Sequence, residues 1–390
     1  MEGGAQLEAF CSAAAPVGLL QRRGCRAAPR IVPAAFGQKE KHPAWNALSR
    51  LGYPAPSQGR RGGLLWTRQD TVKGFAYAIV LGVRQRRGVT EIAFTVRSTL
   101  DHADPVADGC RIVQEALAAG YTAMLQPHLR WWKKFWNQSS VSVPHTEIER
   151  HYNLARYFYG AASRQGAPPI PLQGVWTADE GGAPPWRGEY ANNLNTQLTY
   201  WPYLAANHLE AGRCFLDFFW NLLPAFRQHA RAFFGTTGAC IPGGMALDGG
   251  VLTGWAPHMH TPTLGAWIAH AFYLHWRYTM DRAFLAARAY PFCREIGEAL
   301  AGLLQPGQNG RLQLPLSTSP EIHDNRPGAW LTPNSNFDLA LLRWLFGALA
   351  EMARDLRQPD ASRGWQRILE KLPPLAVADT TFDGRASESE

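Results

Sequence analysis

Two asparagines one residue apart, Asn193 and Asn195, stand where a Gly-, Pro- and Trp-rich stretch, LQGVWTADEGGAPPWRGEY, gives way to a helical pattern. Paired side-chain amides beside aromatic residues suit a site that grips hydroxyl groups. Capping a helix is the ordinary role of Asn at such a boundary, so the pair reads either as a cap or as a device that orients a hydroxyl or a water. A neutral amide is no Brønsted base, and a hydrolytic site built on it needs a carboxylate. Glu321, in LPLSTSPEIHDN on a later loop that runs to Trp330, is the candidate. Removing that side chain from water would raise its pKa above the ordinary value of about 4.3, as a general acid requires.

Other side chains qualify this picture. Trp176 and Trp186 lie in the stretch before the Asn pair, and Trp255 reads either as a core aromatic or as a platform for a sugar ring. His258 and His260, in GWAPHMHTP, have a spacing open to metal ligands. No Cys, Asp or Glu nearby completes a set, so they read as polar wall residues and no metal is expected. Ser317, Thr318 and Ser319 lack the G-x-S-x-G elbow that exposes a serine nucleophile.

The elements that must position these residues are mostly helical. Residues 107–119, ending at Gly120, and 121–136, rich in Trp, read as a linker pair. A capping box of Thr146 with Glu149 opens the next helix, which stops before Gly166. Further helices are expected over 193–210, from Arg213 to Phe234, from Thr261-Pro262 onward, from Asp281 to Leu303, over 335–357 and around 365–372. Links alternate between a few residues and about 28, 26 and 31 residues, and structureless links that long are usually functional. In an up-down helical array alternate links fall at one end. The long ones, which carry the candidate residues, therefore gather at one mouth of an α/α bundle or toroid.

Ahead of the helices, residues 62–103 hold two β-rich runs around the polar RQRRG turn, a hairpin from a sandwich. Two strands alone are not stable, so the rest of that sheet is expected to be missing. Residues 1–61, rich in Ala, Gly, Arg and Pro, show no sustained period and read as poorly structured or foreign to the fold. The net charge is +8, but the first 100 residues hold 15 basic and 5 acidic side chains against 24 and 26 in the remainder. The helical body is thus near neutral, which argues against a nucleic-acid partner. No apolar run reaches the roughly 18 residues that cross a bilayer. Glu2 and Glu8 stand where a signal peptide carries basic residues, so none is read. The six cysteines form no C-x-x-C pair and are expected as buried free thiols.

In this order, LQGVW, PPW, N-L-N followed by YWP, S-T-S-P-E, and the helical run Gly265–Phe292 resemble the inverting 1,2-α-L-fucosidases of glycoside hydrolase family 95. The resemblance covers residues 62–375. It implies a mainly α chain: a β-sandwich remnant (62–103), a helical linker (104–140) and a partial (α/α)6 toroid (141–375), followed by a tail (376–390). Carried over residue by residue, Glu321 falls on the general acid, and Asn193 and Asn195 on the amides that hold the attacking water. Trp255 falls near a sugar-contacting tryptophan, and Trp176, Trp186 and His258 join it as substrate-binding candidates. The implied partner is a fucosylated oligosaccharide or glycan, hydrolysed without a cofactor.

Two departures accompany the likeness. Thr199 stands where the family has Asn before YWP. Beyond K-L-P-P the family continues into a His-rich segment and a D-G-N motif whose Asp makes the Asn pair basic, whereas Asp383-Gly384 here lies at the wrong distance. The expectation is a truncated fucosidase-like chain, with an inactive carbohydrate-binding homologue as the alternative and an α-L-galactoside as the alternative substrate.

Overall fold

The computed structural model describes residues 6–23, 29–31, 52–86, 88–175, 188–252, 260–307, 309–319 and 334–377. These fall into two compact units, one within residues 1–150 and the other within 151–175 and 188–390.

The first unit is built on an antiparallel sheet of six strands, β1 (Leu7–Cys11), β2 (Gly18–Arg23), β3 (Ser57–Arg61), β4 (Leu64–Asp70), β5 (Ala76–Arg86) and β6 (Val89–Ser98). Their spatial order is β1-β2-β6-β5-β4-β3. The expected hairpin is β5–β6, closing at Arg86↔Val89. The expectation that the rest of the sheet is missing is corrected. β1, β2 and β3 come from the segment read as poorly structured, and they pair in register with the hairpin and with β4. Side chains alternate across a strand, so Ala76, Ala78 and Val80 of β5 are buried on one face.

That face is covered by α1 (Pro105–Ala119), and α2 (Tyr121–Trp136) follows it. Asp104 caps α1 by accepting from the Val106 and Ala107 amides, with Pro105 in the first turn. Gly120, at φ +86°, ends it in a conformation that suits glycine. Val106, Cys110, Val113 and Ala116 of α1 meet Leu19, Leu64, Val80 and Ala93 of the sheet.

The second unit is helical. After α3 (Thr146–Ala162) come three helix hairpins. The first has a broken inner arm, α4 (Asn195–Tyr200) and α5 (Pro202–Ala205), and returns through α6 (Leu209–Asn221), α7 (Leu223–His229) and a π turn at Ala230–Phe234. The second pairs α8 (Leu264–Thr279) with α9 (Arg282–Phe284), a π turn at Leu285–Ala289 and α10 (Tyr290–Leu303). The third pairs α11 (Asn336–Asp355) with α12 (Pro359–Lys371). The fold is therefore mainly α, an arc of an (α/α) toroid with a sheet at its N-terminal side.

Helix boundaries differ from the sequence reading where proline restarts a helix. The helix expected over 193–210 is cut at Trp201-Pro202 and again at Asn207, which adopts φ +55°. The next is cut at Leu222–Leu223, ahead of Pro224. α8 begins at Leu264, two residues past the expected Pro262. The Glu149 carboxylate accepts from Val143 N at 3.2 Å instead of closing a box on Thr146. All three left-handed non-glycine residues among those described, Asn207, Met280 and Arg357, sit in the short turns of the three hairpins.

The core of this unit is aromatic. Phe272 and Phe292 stack at 3.9 Å with 9° between planes, tying α8 to α10, and both are buried. Tyr200, Phe215, Phe219 and Phe226 continue the cluster through the first hairpin. Four of the cysteines, Cys110, Cys214, Cys240 and Cys293, are buried free thiols, whereas Cys11 on β1 is exposed, contrary to expectation.

Candidate active site

The short turns leave the three long links, 163–194, 235–263 and 304–335, at the opposite ends of the hairpins, and the described parts of these links are laced together. β7 (Tyr190–Ala191) from the first link pairs with β8 (Gly244–Met245) from the second. Next to that ribbon Asn192 is fully buried; its backbone N donates to Gly243 O at 2.6 Å and its Nδ2 to Pro242 O at 2.9 Å. Gln197 and Thr196 then donate to the carbonyls of Asn192 and Ala191 at 2.5 and 2.8 Å. One turn of chain is thereby fixed on both sides of the N-L-N motif.

Asn193 is half-buried and Asn195 exposed. Leu194 occupies the cap position of α4 with no side-chain cap hydrogen bond, and Asn195 is the first helical residue. The amides are not used as caps, which removes the ordinary reading of Asn at a helix start. What the sequence analysis missed is Asn192, the amide that holds the motif in place. Its signal was a third consecutive Asn-rich position, N-N-L-N, of which only the last two Asn were weighed.

The third link is anchored by a carboxylate the sequence analysis also missed. Asp338, in the first turn of α11, is fully buried. Its Oδ2 accepts from Ser317 Oγ at 2.6 Å and from Thr318 N at 3.0 Å, and its Oδ1 accepts from Thr263 Oγ1, just ahead of α8. Ser317 Oγ in turn accepts from Ser335 N at 2.7 Å, and Ser335 Oγ donates to Thr318 O at 2.6 Å. In a capping box the acid at the third helical position reaches back to the cap residue's own N–H. Here a serine hydroxyl is inserted between the two. Burial raises the Asp338 carboxyl above the usual range, opposed by the bonds it accepts from Ser317, Thr263 and Thr318. Ser317 and Thr318 are therefore structural acceptors and donors, in keeping with the absence of a nucleophile elbow.

A row of rings connects these two anchors. Trp201, 43% exposed at the end of α4, lies 6.3 Å from Trp267 in the first turn of α8. Trp267 lies 6.1 Å from Phe337, the neighbour of Asp338. The starts of α8 and α11 and the short helix that carries Asn195 are thus adjacent. His260 stacks on Phe233 at 4.0 Å and lies 5.9 Å from His229. Burial holds both imidazoles below their ordinary pKa, His229 at about 4, with His260 adding to the effect there. His260 is a wall residue against an aromatic ring. Among the described residues no group of three or more His, Cys, Asp or Glu side chains is arranged to hold a metal. No helix among them is long and apolar enough to cross a membrane.

Glu321, Trp255, Trp176, Trp186 and His258 lie outside the described residues. The candidate site accordingly rests on Asn193, Asn195 and the anchors on either side of them.

Helix hairpins with short turns at one end and long, laced links at the other define an α/α-toroid protein with its working face at the link end. Among solved structures, the putative kojibiose phosphorylase from human microbiome shares this fold with a TM-score of 0.66, at 11% identity, over 95% of this chain and 53% of that one. The glycosyl hydrolase family 95 catalytic domain matches residues 133–385, and the chain belongs to that family. Alpha-L-fucosidase 2 of Arabidopsis thaliana is 29% identical over 242 residues, covering 59% of this chain and 28% of the relative. Probable alpha-fucosidase A of Aspergillus niger is 24% identical over 221 residues, covering 47% of this chain and 26% of the relative. The matched stretch thus spans little more than a quarter of these relatives' length.

Proposed function

We propose that this chain carries acid and water-binding residues of an exo-acting α-L-fucosidase that removes terminal α-1,2-linked fucose with inversion. The observation that carries this reading is the state of the Asn pair: two amides at the link end of the toroid, held by buried neighbours and not used as helix caps. In this reading Glu321 protonates the departing glycosidic oxygen as the bond from that oxygen to the anomeric carbon breaks. Asn193 and Asn195 hold a water on the opposite ring face, whose oxygen bonds to the anomeric carbon. The groups that serve the two faces of an inverting site stand roughly 6.5–9.5 Å apart to leave room for that water. The water's proton must go to a carboxylate, because an amide does not accept it. The fucosidase names of the Arabidopsis and Aspergillus relatives support fucose as the sugar.

The test is hydrolysis of 2′-fucosyllactose by this chain and by a longer version from the same gene, with product configuration followed by NMR. Glu321→Gln is expected to lower turnover by about 10²–10⁴-fold, the usual contribution of a general acid. Asn195→Ala is expected to do so with little change in stability, since its side chain is exposed. Equal rates for wild type and Glu321→Gln would remove Glu321 from the mechanism. Sugar binding without turnover in both versions would make the chain a carbohydrate-binding homologue instead, and faster release of L-galactose than of fucose would reassign the substrate.

A further inference from the structure

Every side chain around Asp338 belongs to the connection between helices, and none is needed to fill the core. A buried carboxylate is costly unless its oxygens are satisfied, so one retained at this position has a task to explain it. Its Oδ1 takes the hydroxyl of Thr263, at the end of the second link. Its Oδ2 takes the hydroxyl of Ser317 and the amide of Thr318, in the third link. Ser317, Thr318 and Asp338 are each fully buried. Ser335 closes the ring by bonding Ser317 Oγ and Thr318 O. Two links and the first turn of α11 are thereby clamped at a single point. Farther back, Asn334 fixes the same link a second time, its Oδ1 accepting from Leu314 N at 2.8 Å.

The chain leaves this clamp at Thr318, and Glu321 follows three residues later. Three residues reach at most about 10–11 Å, so fixing Thr318 bounds where the Glu321 backbone can lie. We propose that Asp338, with Thr263 and Ser317, is a positioning residue for the general acid: it clamps the base of the Glu321 segment to the starts of α8 and α11. This rests on the reading of Glu321 given above. The carboxylate touches no substrate. It acts through the chain it holds, and errors of about 1 Å in placing a catalytic group cost on the order of 10²-fold in rate.

A misplaced acid has a signature that general loss of structure lacks. A fluoride leaving group depends far less on protonation than a sugar hydroxyl does. Asp338→Ala is therefore expected to lower kcat on 2′-fucosyllactose by about 10²-fold while leaving α-L-fucosyl fluoride within about threefold and KM little changed. Ser317→Ala, which keeps the carboxylate but removes the relay, provides the same comparison should Asp338→Ala fail to fold. Asp338→Asn is expected to fall between wild type and Ala, since an amide can still accept from Ser317 and Thr318 and donate to Thr263. Equal losses on both substrates, or none on either, overturn the proposal.

Amide hydrogen exchange is measured on the same proteins. The Leu314–Ser319 segment is expected to exchange at least about tenfold faster in Asp338→Ala, with Tyr290–Leu303 unchanged. Should wild type turn over neither substrate, the fucosidase reading fails and the clamp is judged on exchange alone. Unchanged protection of Leu314–Ser319 would then overturn it, and selective loss of protection would support it.

Discussion

Gly238 lies at the start of the second long link, and the chain there runs against α10. Its φ is +77°, and a Cβ at this position would stand 2.3 Å from Glu295 O and 2.7 Å from Ala299 N. Both obstacles are backbone, so neither can swing aside. Reaching even 3.0 Å would take a shift of about 0.7 Å in the link or the helix, and the neighbouring bond from Ala239 N to Glu295 O at 2.9 Å would stretch with it. Gly238→Ala therefore combines three costs. A left-handed L-residue costs about 1–2 kcal/mol, a weakened buried hydrogen bond about 1 kcal/mol, and overpacking about 1–3 kcal/mol.

The expected total is about 3–5 kcal/mol. Gly235, three residues earlier at φ +66°, is the control, because a Cβ there meets nothing within 4 Å. Gly235→Ala should cost only the conformational part, about 1–2 kcal/mol. Urea titrations followed by tryptophan fluorescence separate the two, with Gly238→Ala moving the midpoint by about 1 M or more. Equal midpoints for the two variants would refute the close-approach argument and leave only backbone conformation.

Two further outcomes follow from buried and strained residues. His208 accepts from Arg156 Nε at 3.3 Å, and burial together with the Arg156 charge holds its pKa at about 4. An unfolded His titrates near 6.5, so between about 6.5 and 4 the unfolded chain binds the extra proton and stability is lost as pH falls through that window. His208→Gln keeps an acceptor for Arg156 and should flatten the dependence of Tm on pH there; parallel curves for variant and wild type would contradict a neutral buried imidazole. Met280 and Arg357, exposed and left-handed at φ +52° and +60°, should each gain about 0.5–1 kcal/mol on replacement by Gly. Differential scanning calorimetry should show a Tm rise of about 1–3 °C for each; a fall would mean that their side chains hold contacts worth more than the strain.

What the sequence disclosed depended on whether a residue's role was local. Gly120 as a stop and Asp281 as a start act on their own neighbours, and both appear where expected. Pro202 was absorbed into a continuous helix because apolar spacing carries on across the break, whereas proline in fact opens a new helix there. The strands β1 and β3 were invisible for another reason. LEAFC and SQGRR lie at the two edges of the sheet and are mostly exposed, so they lack the alternation that marks a half-buried strand.

The same division holds at the site. The N-L-N motif was legible as chemistry because two amides at one helix start are unusual. Asn192 and Asp338 were not, because their partners lie far along the chain: Pro242, 50 residues away, and Thr263, 75 residues away. In sequence Asp338 is an ordinary first-turn acid three residues after a Ser. Only the fold reveals that its carboxylate serves two links instead of its own helix. Ser317 and Thr318 were correctly set aside as nucleophiles, yet nothing local revealed what else they hold.

The two π turns, Ala230–Phe234 and Leu285–Ala289, have a consequence for engineering by length. Such a turn is the trace of one surplus residue inside an otherwise regular helix. Removing a single residue from Leu285–Ala289 would leave a continuous helix but swing everything beyond it by about 100°. Phe292 would then turn away from Phe272, and the carbonyl of Glu295 from the chain at Gly238. Deletions in these helices are therefore rotations, and a shortened variant needs a compensating insertion of one residue on the same side of the core.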